Sequence, residues 1–172
     1  MITWTEAGAV EQPSMVQIRV QRAYPGRVRA GAPIPTRSMS QEELFENLNH
    51  FTEAKRGPRS QPCTRLVLSG VGVASRPDTP LVLEGARKRG MEHIVLHVGR
   101  EDLEDLKVDR LGALVDCVVL PVQPGTGGAL LQSGAAAIRE WSGLGVEVVA
   151  NTVLSPKALP TLSAVARSLS KV

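Results

Sequence analysis

The sequence predicts an α/β fold on a mostly parallel sheet, and three observations carry that expectation. Short apolar segments recur as nearly continuous runs, at Leu66–Leu68, Asp116–Val122 and Val146–Ala150, as strands covered by helices require. They alternate with segments of helical period, giving five strand–helix repeats counted from Met15. The junctions carry glycine, proline and capping residues, so each element has a stated start and stop.

The elements follow in order. Residues 1–14 lack periodicity and give an irregular segment, or an edge strand if Ile2 and Trp4 alternate. Met15–Val20, MVQIRV, alternates apolar and polar and predicts the first strand. The prolines at 25, 33 and 35 and the glycines at 26 and 31 then forbid regular structure and give a long loop. Ser40 with Glu43 forms a capping box, and Leu44, Leu48 and Phe51 recur at helical spacing, so a helix runs toward Gly57-Pro58. A second strand at Thr64–Ser69 stops in a glycine loop. Thr79 is expected to cap the next helix, with Pro80 in its first turn and Gly90 closing it. His93–Val98 is a third strand, followed by a short charged turn or helix whose buried side is Leu103 and Leu106. Asp116–Val122 is the fourth strand; the loop Gln123-Pro124-Gly125-Thr126-Gly127-Gly128 leads into a helix over 129–141. Val146–Ala150 is the fifth strand. Ser155-Pro156 opens a last helix with Leu159, Leu162, Val165, Ala166 and Leu169 on its apolar face.

At 172 residues the length suits one domain over 1–172, and the 42% hydrophobic content supplies a core of Val, Leu and Ala, because aromatics are only 3%. A net charge of +3 is spread over the chain without aromatic platforms or a nucleic-acid motif, so no nucleic-acid partner is expected. No apolar run reaches the roughly 18 residues of a membrane span, and the acidic N-terminus lacks the order of a signal peptide. Cys63 and Cys117 have no metal or CxxC spacing and fit reduced thiols in a cytoplasmic protein.

From Val16 onward the order of motifs resembles the radical SAM superfamily, whose partial TIM-like barrel is built from such repeats. Leu68–Asp78, LSGVGVASRPD, aligns without a gap to the LSGGEPLLRPD pattern of that family, and His97-Val98-Gly99 takes the place of its Thr-Asn-Gly. The resemblance implies a truncated partial barrel of five to six mostly parallel strands with helices on the outer face. It also implies that the chemistry has gone. The CxxxCxxC places fall on Ala23, Arg27 and Ala30, which cannot hold an iron–sulfur cluster, and Gly72 stands where a cofactor-holding glutamate belongs. No cofactor is therefore expected: neither the cluster nor S-adenosylmethionine. The fifth strand is expected at an open edge unless the N-terminal segment or a partner covers it.

The functional expectation is a non-catalytic protein-interaction, assembly or regulatory module, with a protein partner or self-association. A small-molecule sensor is the alternative, and a barrel enzyme with acid–base chemistry at His97 a third. Candidate ligand positions are Ser69, Gly70 and Gly72 in the first glycine loop, Arg76, His97 at a strand end, and Gly125, Thr126 and Gly127 in the second loop. Each has a plainer account: glycine for a tight turn, Arg76 paired with Asp78, His97 as a polar strand end. Arg22, Arg27, Arg29 and Arg37 form a candidate face for an acidic partner, or are simply solvated.

Overall fold

A computed structural model describes residues 15–20, 38–53, 63–100, 102–103, 108–122, 132–152 and 159–170. The strands are β1 (Met15–Arg19), β2 (Arg65–Ser69), β3 (His93–His97), β4 (Cys117–Pro121) and β5 (Glu147–Asn151). The helices are α1 (Gln41–Glu53), α2 (Thr79–Lys88), α3 (Val108–Gly112), α4 (Gln132–Gly143) and α5 (Leu162–Leu169), the last preceded by a 3₁₀ turn at Leu159–Thr161. The expected edge strand within residues 1–14 lies outside the described residues.

The α/β expectation holds: the five strands form one sheet in the order β1-β2-β3-β4-β5, every neighbouring pair parallel. Right-handed crossovers in an unreversed order place successive helices on the same side of the sheet. The core agrees. Val16, Ile18, Leu66, Leu68, Ile94, Leu96, Val118 and Leu120 form one buried cluster with Leu44 and Leu48 of α1, Val82 and Leu83 of α2, Leu111 of α3 and Trp141 of α4. Alternate residues of each strand therefore face the helices, and the residues between them line the opposite face.

Local chemistry explains the helix starts. The capping box is present at α1: Glu43 N–H donates to Ser40 Oγ at 3.2 Å and Ser40 N–H to Glu43 Oε2 at 2.9 Å. At α2 the expectation needs correction, because Asp78 occupies the N-cap position. The Thr79 hydroxyl donates instead to the Val73 carbonyl, inside the preceding loop. Gly85 lets α1 and α2 approach closely, since a Cβ there would fall 2.2 Å from Phe45 Cε1.

A second correction concerns the last repeat. The α5 stripe was expected to be buried as a unit. Val165 is buried and Leu169 packs against the core, but Leu159 and Leu162 are 56% and 40% exposed and Ala166 is exposed too. β5 is exposed at four of its five residues. Its apolar composition belongs to an edge strand, as anticipated, since among the described residues it pairs only with β4.

Candidate functional site

Ligands of parallel α/β folds bind at the carboxyl ends of the strands. Here those ends are built by β1, β2, β3 and the loops after β2 and β3. Because Leu68 and Leu96 face the helices, Ser69 and His97 face the other way, away from the core cluster. Arg19 is the register partner of Ser69. One residue beyond the Leu68–Leu96 pair, Ser69 lies beside His97, and His97 in turn pairs with Val119. Arg19, Ser69 and His97 thus form one transverse row across three adjacent strands. Gln17, two residues back on the same face, donates from Nε2 to Ser69 Oγ at 3.4 Å.

His97 is partly buried, and its imidazole is held below the usual histidine range, first by burial and second by the positive charge of Arg19. It is therefore neutral at pH 7, with one nitrogen donating and the other accepting. The row sets a guanidinium, a hydroxyl and an imidazole side by side, with Ser69 buried at 7% exposure. No group of His, Cys, Asp and Glu suited to a metal ion occurs among the described residues.

The two loops flanking this row are tied together by Asp102, which is fully buried. Its Oδ1 accepts from Ser75 N–H at 3.1 Å and from the Ser75 hydroxyl at 2.6 Å; its Oδ2 accepts from Gly99 N–H at 2.8 Å. One carboxylate thereby joins the loop after β2 to the loop after β3. Within the first loop Gly70 and Gly72 have φ of +146° and +70°, so both glycines meet a conformational need.

Arg76 lies in the same loop but its contacts lead elsewhere. Its guanidinium grips both carboxylate oxygens of Asp78, at 2.8 and 2.6 Å, and donates to Ser38 Oγ and the Met39 carbonyl at 2.7 Å each. The pairing holds the Asp78 carboxyl below its ordinary range, because the Arg76 hydrogen bonds favour the charged form. Arg76 also lines a cleft of about 130 Å³ with Pro77, Pro80 and Arg110, too small to enclose a nucleotide-sized ligand. Its observed work is to fasten the loop to the segment before α1.

Of the expected site residues, the structure thus brings Ser69 and His97 together, places Gly70 and Gly72 in the adjoining turn, and ties Arg76 to Asp78. Gly125, Thr126, Gly127, Arg22, Arg27, Arg29 and Arg37 lie outside the described residues, as do Ala23 and Ala30. Sequence reasoning overlooked Arg19, Gln17 and Asp102. The signal for the first two was present: in MVQIRV, Gln17 and Arg19 alternate with the core-facing Val16, Ile18 and Val20. Both cysteines are buried and unpaired, with thiols pushed above the usual range by burial, and at Cys117 also by Glu147 and Asp116.

No helix among the described residues is long and apolar enough to cross a membrane. No protein-family profile matches the chain, and no curated protein matches it. Among solved structures it is similar to a crystal structure of "a putative lyase/mutase from Burkholderia cenocepacia J2315", at 20% identity and a TM-score of 0.40. That similarity covers 92% of this chain, which spans half of the other chain's length.

Proposed function

We propose that this chain is a non-catalytic half-barrel of radical SAM-like ancestry that works by docking to another protein. The observation that carries this reading is β5. It closes a sheet whose other strands contribute to the buried core, yet it is largely exposed, and no strand pairs with its outer edge among the described residues. Open edges present unpaired backbone donors and acceptors to an incoming strand. The absence of cluster thiolates at Ala23, Arg27 and Ala30 supports the non-catalytic part.

The test is light scattering on the purified protein, together with capture from the native lysate, using wild type and Val149→Lys as baits. Val149 is 42% exposed, so the substitution leaves the core intact. The wild type is expected to self-associate or retain a partner that the variant loses. A monomeric wild type that captures nothing more than the variant overturns the reading.

Gly72 bears on the ancestry. A Cβ there has space, its nearest neighbour being Ser75 Oγ at 3.8 Å, but φ of +70° strains any L side chain. Gly72→Glu, which restores the family's carboxylate, is expected to cost about 1–2 kcal/mol and to lower Tm by roughly 2–8 °C. Calorimetry on that variant should detect no S-adenosylmethionine binding. Full stability together with binding would show that the site is one residue from recovery.

A second reading, a small-molecule sensor, is favoured by the row of Arg19, Ser69 and His97. The two readings are compatible, because the row and the outer edge of β5 lie at different places on the sheet.

A further inference from the structure

We infer that the partner at β5 is a second copy of this chain, its β5 paired antiparallel to the first about a two-fold axis at Val149. The inference rests on the docking reading and names the occupant of the edge.

The first argument is which backbone groups the edge presents. The Glu147 N–H donates to the Asp116 carbonyl, and the Asn151 carbonyl accepts from the Val122 N–H. Glu147, Val149 and Asn151 therefore direct their main-chain groups at β4, and Val148 and Ala150 between them turn theirs outward. Among the described residues nothing bonds to those outward groups. The strand EVVAN also lacks the lysine, proline or bulge that guards an edge kept unpaired, its one charge being Glu147 at the start. At the other side of the sheet the chain leaving β1 returns beside it, where the Met39 N–H donates to the Val20 carbonyl at 2.9 Å.

The second argument is self-complementarity, which selects a copy over an unrelated strand. A two-fold axis at Val149 sets this residue against its own equivalent as a non-hydrogen-bonded pair, as its inward-turned main chain requires. Val148 then lies opposite Ala150 of the second copy, and their outward N–H and C=O groups close hydrogen bonds on both sides of the axis. The same register sets Glu147 opposite Asn151 of the second copy, so each carboxylate meets an amide donor and no like charges meet. An axis at Val148 would put Glu147 against Val149, and one at Ala150 would put Asn151 against Val149. Neither has that match. Val149, 42% exposed in the single chain, is covered by its equivalent.

The experiment is sedimentation equilibrium of the full chain, as wild type, Ala150→Pro, Val149→Cys and Val148→Cys. The wild type should be a dimer that dissociates on dilution. Ala150→Pro removes an outward N–H that β4 does not use, so it should weaken the dimer about tenfold or more while circular dichroism shows an intact fold. Under diamide oxidation Val149→Cys should form a disulfide-linked dimer, because a non-hydrogen-bonded pair places its Cα atoms about 4.5 Å apart. Val148→Cys should not, since its equivalent is displaced along the strand to beyond about 7 Å. Both native thiols are buried, and the wild type is the blank. Should Ala150→Pro fail to fold, the cysteine pair decides alone. A monomeric wild type that captures a protein lost by Val149→Lys overturns the inference and leaves the docking reading standing. A monomer that captures nothing more than that variant overturns both. A dimer unaffected by a folded Ala150→Pro, or one that cross-links through Val148→Cys and not Val149→Cys, overturns the inference by placing the contact elsewhere.

Discussion

Asp102→Ala is expected to destabilise the protein by about 3 kcal/mol, since it strips a buried acceptor from three donors at once. The backbone N–H groups of Ser75 and Gly99 would lose their partner, as would the Ser75 hydroxyl. In a domain of this size the melting temperature should fall by roughly 6–12 °C. Asp102→Asn should cost less, because the amide oxygen still accepts while the NH₂ cannot replace the second carboxylate oxygen. Thermal and urea unfolding measure the loss. Hydrogen exchange at the Ser75 and Gly99 amides locates it, and both should exchange faster while the α1 amides hardly change. If Ala and Asn both melt with the wild type, Asp102 is not the tie between these loops. The consequence reaches the carboxyl ends of β2 and β3, because the loops that Asp102 joins continue directly from Ser69 and His97.

Trp141→Ala is expected to cost about 3–5 kcal/mol and Trp141→Phe within about 1 kcal/mol of nothing. Trp141 is fully buried on α4, within the cluster formed by the helices and one face of the sheet. Its indole Nε1 is buried with no acceptor. Truncation to alanine opens a large cavity that the surrounding side chains fill only in part. Phenylalanine keeps most of the packing and removes a donor already left unpaired, so its lost volume is offset by relief of that cost. Denaturant titration of both variants separates the effects. A phenylalanine variant as damaged as the alanine one would mean that the N–H is hydrogen-bonded after all.

What was legible in the chain is what neighbouring residues decide among themselves. The apolar runs and helical periods gave the α/β alternation, and the Ser40–Glu43 box gave the start of α1 from two residues three apart. The edge position of β5 matches the expectation, but its exposure does not, because the apolar run Val146–Ala150 reads as a strand covered by helices. Where local signals compete, the sequence was ambiguous. Thr79 and Asp78 are both capping types; Asp78 takes the N-cap position with its carboxylate on Arg76 and no side-chain cap hydrogen bond, while the Thr79 hydroxyl donates to the Val73 carbonyl. Arg76 had two plausible destinations, and the packing of α1's leading segment against the loop gave it Asp78, Ser38 and Met39.

The row of Arg19, Ser69 and His97 belongs to the other class. By itself the sequence determined that each lies at the end of an apolar strand, and only for Arg19, in the alternating MVQIRV, did it also give the face. Only the tertiary structure decided that they stand side by side. That depends on which strands pair and in what register, and a slip of one residue would send Ser69 to the helix face. Asp102 depends on the fold in the same way, since it reaches Ser75 across 27 positions. Caps and periods come from interactions within one or two turns of chain. Sites of this kind come from contacts between distant segments, and burial of the shared core is what selects them.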